Sequence, residues 1–398
     1  MLVKKKILVY WYYGRKDLLV PFISLQETFD WVFICYGDKV YDPVVDFPFP
    51  RYYWDEFHSP KALIKKIKPD AIIFLELSNM YSLSLNIYAK IKQIPTYILE
   101  HGLKLSYEYY ATLAKNKIES SAKWNEIPKP KTSSINRKLK GASFFLKSLD
   151  FAHLNHLPLL INYAFNVYTK ETDTILPKLH FPLRKASKYL LFSAQNFNYY
   201  ATRDGVTESD VYYFGNPYLD KLIQQFRTTD NKNESEYYVL LDDGHLDTYG
   251  ISMEQRNNFL QKLNEYSRKN NCQLYIKLHP SDYGRTDLIL DDNIKYLEDC
   301  DMNIVFKNSK RNFGFSSTMA LPLVSLQNIV LFSLNGSKIQ DLLKQFGVKF
   351  MDYYNWSPVD LDHMTSSIDK QDIEIFTKQF LYINDGKSLQ RLAEILNN

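Results

Sequence analysis

Three short motifs in this chain carry side chains able to move a proton or hold a phosphate, and each follows an apolar run that reads as a strand. Glu100-His101-Gly102 follows Thr96–Leu99, His279-Pro280 follows Leu274–Leu278, and Ser316-Ser317-Thr318 follows Gly314-Phe315. An imidazole at His101 could take a proton from an attacking hydroxyl near neutral pH. Glu100 could orient that ring or be the base itself, and the sequence leaves the choice open. Gly102 would allow a sharp turn of the backbone beside them. His279 is placed to donate to a phosphate or a ribose, with Pro280 fixing the exit from its strand. Strand alternation puts Lys277 on the same face as His279. Ser316, Ser317 and Thr318 bring hydroxyls and backbone N–H groups to a helix start, which suits an anion and equally suits a plain cap. Asp242-Asp243-Gly244-His245 reads as a turn first and as a site for a cation or an acceptor second. There is no Gly-x-Gly-x-x-Gly or P-loop pattern, which argues against a dinucleotide dehydrogenase or an ATPase.

Elements must position these groups, and the patterning predicts them. Strands are expected at 6–11, 31–36, 71–76, 95–99, 188–193 and 211–214, with helices at 60–67, 81–93 and 195–203 between them. Short apolar runs alternating with helices argue for parallel βαβ units. Residues 105–187 break this rhythm and are expected to form a helical insertion. A second series begins with a strand at 237–241 and continues with a helix at 253–269, strands at 273–278, 303–306 and 329–332, and helices at 337–346 and 372–396. The breaker-rich stretch 228–236 reads as a linker. The expected organisation is thus an N-terminal domain over 1–227, the linker at 228–236 and a C-terminal domain over 237–398.

Composition narrows the class. The 398 residues are 45% hydrophobic and 24% charged, an ordinary globular balance that is long for a single core. A net charge of +4 without a basic stripe does not mark a nucleic-acid binder. Cys35, Cys272 and Cys300 lack metal-ligand spacing, and their sparse, odd count reads as reduced and cytosolic. Cys35 and Cys272 are expected in the core. The start, Met1 to Tyr10, reads as a basic lead into a strand and not as a signal peptide. No long uncharged apolar window suggests a transmembrane helix. Basic and apolar residues over 137–165 suit either peripheral contact with an anionic membrane or a plain helical subdomain.

Taken together the motifs, about 180 and then about 35 residues apart, resemble those of GT-B glycosyltransferases. The likeness is greatest to bacterial sialyltransferases and polysialyltransferases that use CMP-activated sugars. That family carries a paired acid before glycine, a His-Pro motif and a Ser-Ser or Ser-Thr motif. His279-Pro280 and Ser316-Ser317-Thr318 match the last two. Glu100-His101-Gly102 matches the first by position, with His in place of the second acid. Asp242-Asp243-Gly244 matches its letters but lies close before His279. The His at 101 also resembles the CDP-glycerol glycerophosphotransferases, in which such a His is the base.

The resemblance implies an α/β fold of two Rossmann-like domains with a cleft between them. It implies a cytidine-nucleotide donor and an oligosaccharide or glycolipid acceptor for surface-polysaccharide synthesis at the cytoplasmic face of the membrane, with no metal or cofactor. Catalysis would fall to His101, Glu100 and His279. Donor binding would fall to Lys277, His279, Pro280, Gly244, Ser316, Ser317 and Thr318. Asp242, Asp243, His245 and Asn216 would face the acceptor cleft. A sugar-nucleotide epimerase and a non-catalytic scaffold of the same fold are the rivals.

Overall fold

The computed structural model describes residues 3–11, 16–35, 47–77, 79–109, 112, 140–148, 158, 161–163, 165–166, 176–178, 180–227, 236–244, 249–279, 282–298 and 302–398. The chain forms two compact units, one of Met1–Phe214 with Leu389–Asn398 and one of Gly215–Ser388. The division therefore falls between Phe214 and Gly215. The stretch expected as a linker, 228–236, lies outside the described residues except for Glu236.

The first unit is built on β1 (Lys5–Trp11), β2 (Phe29–Cys35), β3 (Arg51–Tyr53), β4 (Ala71–Phe74), β5 (Thr96–Leu99), β6 (Lys188–Leu191) and β7 (Val211–Tyr213). They pair in the order β3-β2-β1-β4-β5-β6-β7, all parallel. Runs such as Ile7-Leu-Val-Tyr-Trp11 read as continuous apolar strands because a parallel sheet covered on both faces buries every side chain, and Ile7, Val9 and Trp11 are fully buried together with Leu8. Between strands, local signals set the helices. Ser59 caps Pro60–Ile67 by accepting from the Ala62 N–H, and Asn79 caps Met80–Ile91 by accepting from the Ser82 N–H. Asn86, buried in the second of these helices, donates to the carbonyls of Leu183, Arg184 and Lys185 and so fixes the chain entering β6.

The second unit carries β8 (Tyr237–Leu241), β9 (Gln273–Lys277), β10 (Ile294–Leu297), β11 (Arg311–Gly314) and β12 (Val330–Leu331), parallel in the order β10-β9-β8-β11-β12. Both sheets are therefore doubly wound, and each reverses strand order once, between β1 and β4 and between β8 and β11. Cys35 and Cys272 are buried, as expected, whereas Cys300 lies outside the described residues.

Two expectations are corrected. Residues 303–306 are not a strand but part of the helix Met302–Asn308. Phe306 is fully buried while Ile304 is half exposed, which fits a helix, where residues two apart point nearly opposite ways, and not a strand, where they share a face. β9 pairs with Ile294–Leu297, an edge strand whose mixed Ile-Lys-Tyr-Leu sequence gives no strand signal. The helical stretch 372–396 is two helices, Ile373–Phe380 and Ser388–Asn397, broken where Tyr382 and Gly386 take positive φ. The last helix packs on the first unit. Arg391 Nε donates to the Phe214 carbonyl at 2.8 Å and Lys5 Nζ to that of Asn397 at 2.5 Å. Among the described residues no helix is long and apolar enough to cross a membrane.

A buried ion pair braces the first unit. Arg184 donates to Asp204 at 2.7 Å and to the carbonyls of Leu176 and Arg203 at 2.8 Å, with both charged side chains almost wholly buried. Tyr189 donates to the other oxygen of Asp204 at 3.0 Å. Removing one partner of such a pair strands a buried charge. Arg184→Met is therefore expected to cost about 3–5 kcal/mol, read from the urea midpoint followed by tryptophan fluorescence. A loss below about 1 kcal/mol would show that the pair does not brace this unit.

Candidate active site

In the first unit the loops leaving the carboxyl ends of β4, β5 and β6 meet around a cavity of about 240 Å³, lined by Leu75, Glu76, His101, Lys104, Tyr199, Tyr200 and Arg203. That is below the roughly 300–1,000 Å³ of pockets enclosing whole drug-sized ligands, so it suits one ring of a larger ligand. His101 directly follows the Glu100 that leaves β5. Its ring meets Trp11 edge-on, with centroids 6.1 Å apart, and Trp11 is itself fixed by donating to the Leu18 carbonyl at 3.2 Å. The loop after His101 is stapled by Asn196, which donates to the Gly102 carbonyl at 3.0 Å and accepts from the Lys104 N–H at 2.7 Å. Gly102 itself is not needed for a turn. Its φ is not positive and an added Cβ would meet nothing within 4 Å. The glycine leaves open space beside His101.

Glu100 is sealed in the protein at 0% exposure. One carboxyl oxygen accepts from the Phe192 N–H at 2.8 Å, and the other is buried with no hydrogen-bond partner among the described residues. Burial drives its pKa well above the ordinary carboxylate range, against the opposing pull of the Phe192 N–H and Lys104. Burial likewise lowers the Lys104 ammonium, although Glu100 draws it upward. Glu100 thus ties the end of β5 to β6 and presents no face to a ligand, and the group of this motif that reaches the cavity is His101.

Arg203, only 2% exposed, sits 3.7 Å from Glu76 and 3.4 Å from Asp204. Burial opposes its charge, but Asp204, Tyr199, Glu76 and Tyr200 together outweigh that cost and hold the guanidinium protonated. Glu76, Lys104, Tyr199 and Arg203 did not stand out in the sequence. Glu76 does share the signal that marked Glu100, an acid just past a strand. Arg203 lies in the helix Phe197–Asp204, where a basic residue in the last turn looks like ordinary helix chemistry.

In the second unit β8 lies between β9 and β11, so the Asp242, His279 and Ser316 loops leave adjacent strands at one edge. His279 is half-buried there. Asp242 faces inward, accepting from the Asp243 N–H at 2.9 Å and pairing closely with Arg256. Burial, opposed by Arg256, pushes its carboxyl up to about 6. Ser316 Oγ lies 3.3 Å from Ser337 Oγ, and Ser317 Oγ is buried without a partner among the described residues. None of the three hydroxyl residues caps the following helix, Ala320–Ser325. Met319 holds that position with no side-chain bond.

Lys277 does not share an open site with His279. Its ammonium contacts the carbonyls of Leu278 and Glu298 and the Tyr283 hydroxyl, which uses its three donors as a strut across β9 and β10. Asn216 likewise turns inward, accepting from the Tyr218 N–H at 3.1 Å. His245 and Pro280 lie outside the described residues. Among those described, no group of three or more His, Cys, Asp or Glu is disposed to hold a metal.

A family model described as alpha-2,8-polysialyltransferase matches residues 57–310. No curated protein matches the chain. Among solved structures, the wall teichoic acid polymerase TagF aligns over 99% of this chain and 88% of its own, with a TM-score of 0.53 and 10% identity. A second TagF structure, soaked with CDPG, gives 0.51 at 11% identity over the same shares. The calicheamicin glycosyltransferase CalG4 aligns over 100% and 98%, with a TM-score of 0.50 and 10% identity. These likenesses show the GT-B fold.

The state of Glu100 is checked by pH. A carboxyl whose pKa is raised by folding binds its proton more tightly in the folded protein. Its contribution is greatest in acid and is lost as pH rises above the unfolded value of about 4.3. Glu100→Gln should remove that loss, so the variant should gain stability over the wild type from pH 5 to 8 in thermal unfolding. A variant less stable throughout that range would mean that the carboxylate is charged and paired.

Proposed function

Because the chain belongs to the alpha-2,8-polysialyltransferase family, we propose that it moves a sugar from a cytidine-nucleotide donor to a glycan acceptor with His101 as the base. It is a glycosyltransferase of polysaccharide biosynthesis. The finer reading rests on one observation. Of the paired residues Glu100 and His101, the imidazole reaches the polar cavity, while the carboxyl is sealed.

His101 would take the proton of the acceptor hydroxyl as that oxygen attacks the donor's sugar carbon. The bond from that carbon to the phosphate oxygen breaks, and cytidine monophosphate leaves with the electron pair. The leaving phosphate would fall to His279, Ser316, Ser317 and Thr318, whose loops follow the strands β9 and β11 on either side of β8. The nucleotide sugar is a substrate, and this mechanism calls for no cofactor or metal. His in place of the second acid of the first motif favours one other reading, transfer from CDP-glycerol with attack at phosphorus. The acceptor is a growing oligosaccharide or glycolipid, handled at the cytoplasmic face of the membrane. Contact there through 137–165 is supported by the exposed Leu146, Ile161 and Phe165.

Two measurements test this. In a thermal-shift panel, CMP or CDP should raise the melting temperature while UDP and GDP do not. His279→Ala should abolish that shift. His101→Ala should keep it and lower transfer by about 10²–10⁴-fold. A shift with UDP or GDP alone would discard the cytidine donor. In flotation with anionic liposomes the wild type should rise with the lipid and a Leu146→Glu/Phe165→Glu variant should not. Equal behaviour of the two would remove this surface as the membrane contact.

A further inference from the structure

In the second unit two carboxylates that end adjacent strands face one guanidinium. Asp242 follows β8 and Asp282 lies in the turn after β9. Arg256 Nη2 contacts both, closely to Asp242 and at 2.8 Å to Asp282, with all three side chains no more than 4% exposed. The same turn carries His279, whose carbonyl accepts from the Asp282 N–H at 2.9 Å. The Asp242 N–H in turn donates to the Lys277 carbonyl at 3.1 Å, extending the ladder one residue past the strand.

The place of Arg256 is not explained by its own helix. It lies in the first turn of Met253–Lys269, where the helix dipole disfavours a cation. That turn is held rigidly by a capping box. Ser252 Oγ accepts from the Gln255 N–H at 3.2 Å, and Gln255 Oε1 accepts from the Ser252 N–H at 2.8 Å. A cation in such a position is retained for its tertiary partners. Here those partners are two like charges that would otherwise push their loops apart. Arg285 reaches only the far oxygen of Asp282, at 3.4 Å, and is bonded mainly to Asp287 at 2.7 Å. It does not bridge the loops.

We infer that Arg256 is a positioning residue for His279, clamping the Asp242 and His279 loops together so that the imidazole is held in place before a donor binds. This rests on the reading of the second unit as the nucleotide-binding half. Preorganised donors stabilise a leaving phosphate because nothing has to reorganise at the moment of reaction.

The test uses the full chain with two variants. Asp242→Asn/Arg256→Gln/Asp282→Asn removes the clamp and leaves no unpaired charge. Asp282→Asn releases one loop and keeps the other pair. Two readouts are taken, the histidine ring C–H signals in NMR, with His279 assigned through His279→Gln, and the Kd for CMP by calorimetry. In the folded triple variant the His279 signal should shift or broaden while the other histidine signals stay put, and the Kd for CMP should rise at least tenfold. An unmoved His279 signal with a Kd within twofold would overturn the proposal and leave Arg256 a plain core ion pair. If the triple variant does not fold, Asp282→Asn is judged by the same two outcomes. If CMP fails to bind the wild type, the donor reading falls, and the His279 signal alone decides the clamp.

Discussion

Parallel strand pairing is the constraint on which the rest of this protein depends. Every strand of both sheets pairs in parallel, so every strand needs a return crossover and every carboxyl end opens on the same edge of its sheet. Helices cover both faces, which leaves that edge as the place where polar side chains gather. His101, Glu76 and the residues after β6 meet there in the first unit. Asp242, His279 and Ser316 leave adjacent strands there in the second.

Each unit places buried charge beneath that edge. In the first, Arg184, Asp204, Arg203 and Glu76 form a chain that ends at the cavity wall. In the second, Arg256 stands between Asp242 and Asp282. Withdrawing such groups from water is costly, and apolar residues of similar volume would often serve stability as well. Both networks are made almost wholly of groups that pair with one another inside the protein. The first ties the chain entering β6 to the helix whose Arg203 lines the cavity, and the second joins the Asp242 and Asp282 segments. Their value lies in fixing loop geometry. That also separates the two halves of the first motif, since Glu100 is drawn into the core by the Phe192 N–H while His101 is left facing the cavity.

Much of this was legible in the chain. Buried parallel strands announce themselves as unbroken apolar runs, so β1, β2, β4, β5, β8 and β9 could be placed from sequence. The helices Pro60–Ile67 and Met80–Ile91 also carry Ser59 and Asn79 at their starts. The edge strand Ile294–Leu297 carries no clear sequence signal because an edge strand need not be apolar, and the helix Met302–Asn308 reads as a strand from sequence because Ile-Val-Phe favours either state until packing chooses. The return of Ser388–Asn397 to the first unit leaves no local trace, since a helix does not encode which sheet it covers.

The sequence by itself determined the two series of βαβ units and the order of the three motifs, because hydrophobic period and residue type are local properties. Tertiary structure alone decided which of those residues are buried or engaged inside the protein. Glu100, Asp242 and Lys277 are polar groups past or at the ends of strands, like His101 and His279. Yet the first two are buried and the third is spent on carbonyls and a phenol. Glu76, Lys104 and Arg203 reach the cavity from three separate loops and helices. Burial and partnership depend on what a distant strand or helix brings alongside, and that is fixed only when the sheet assembles.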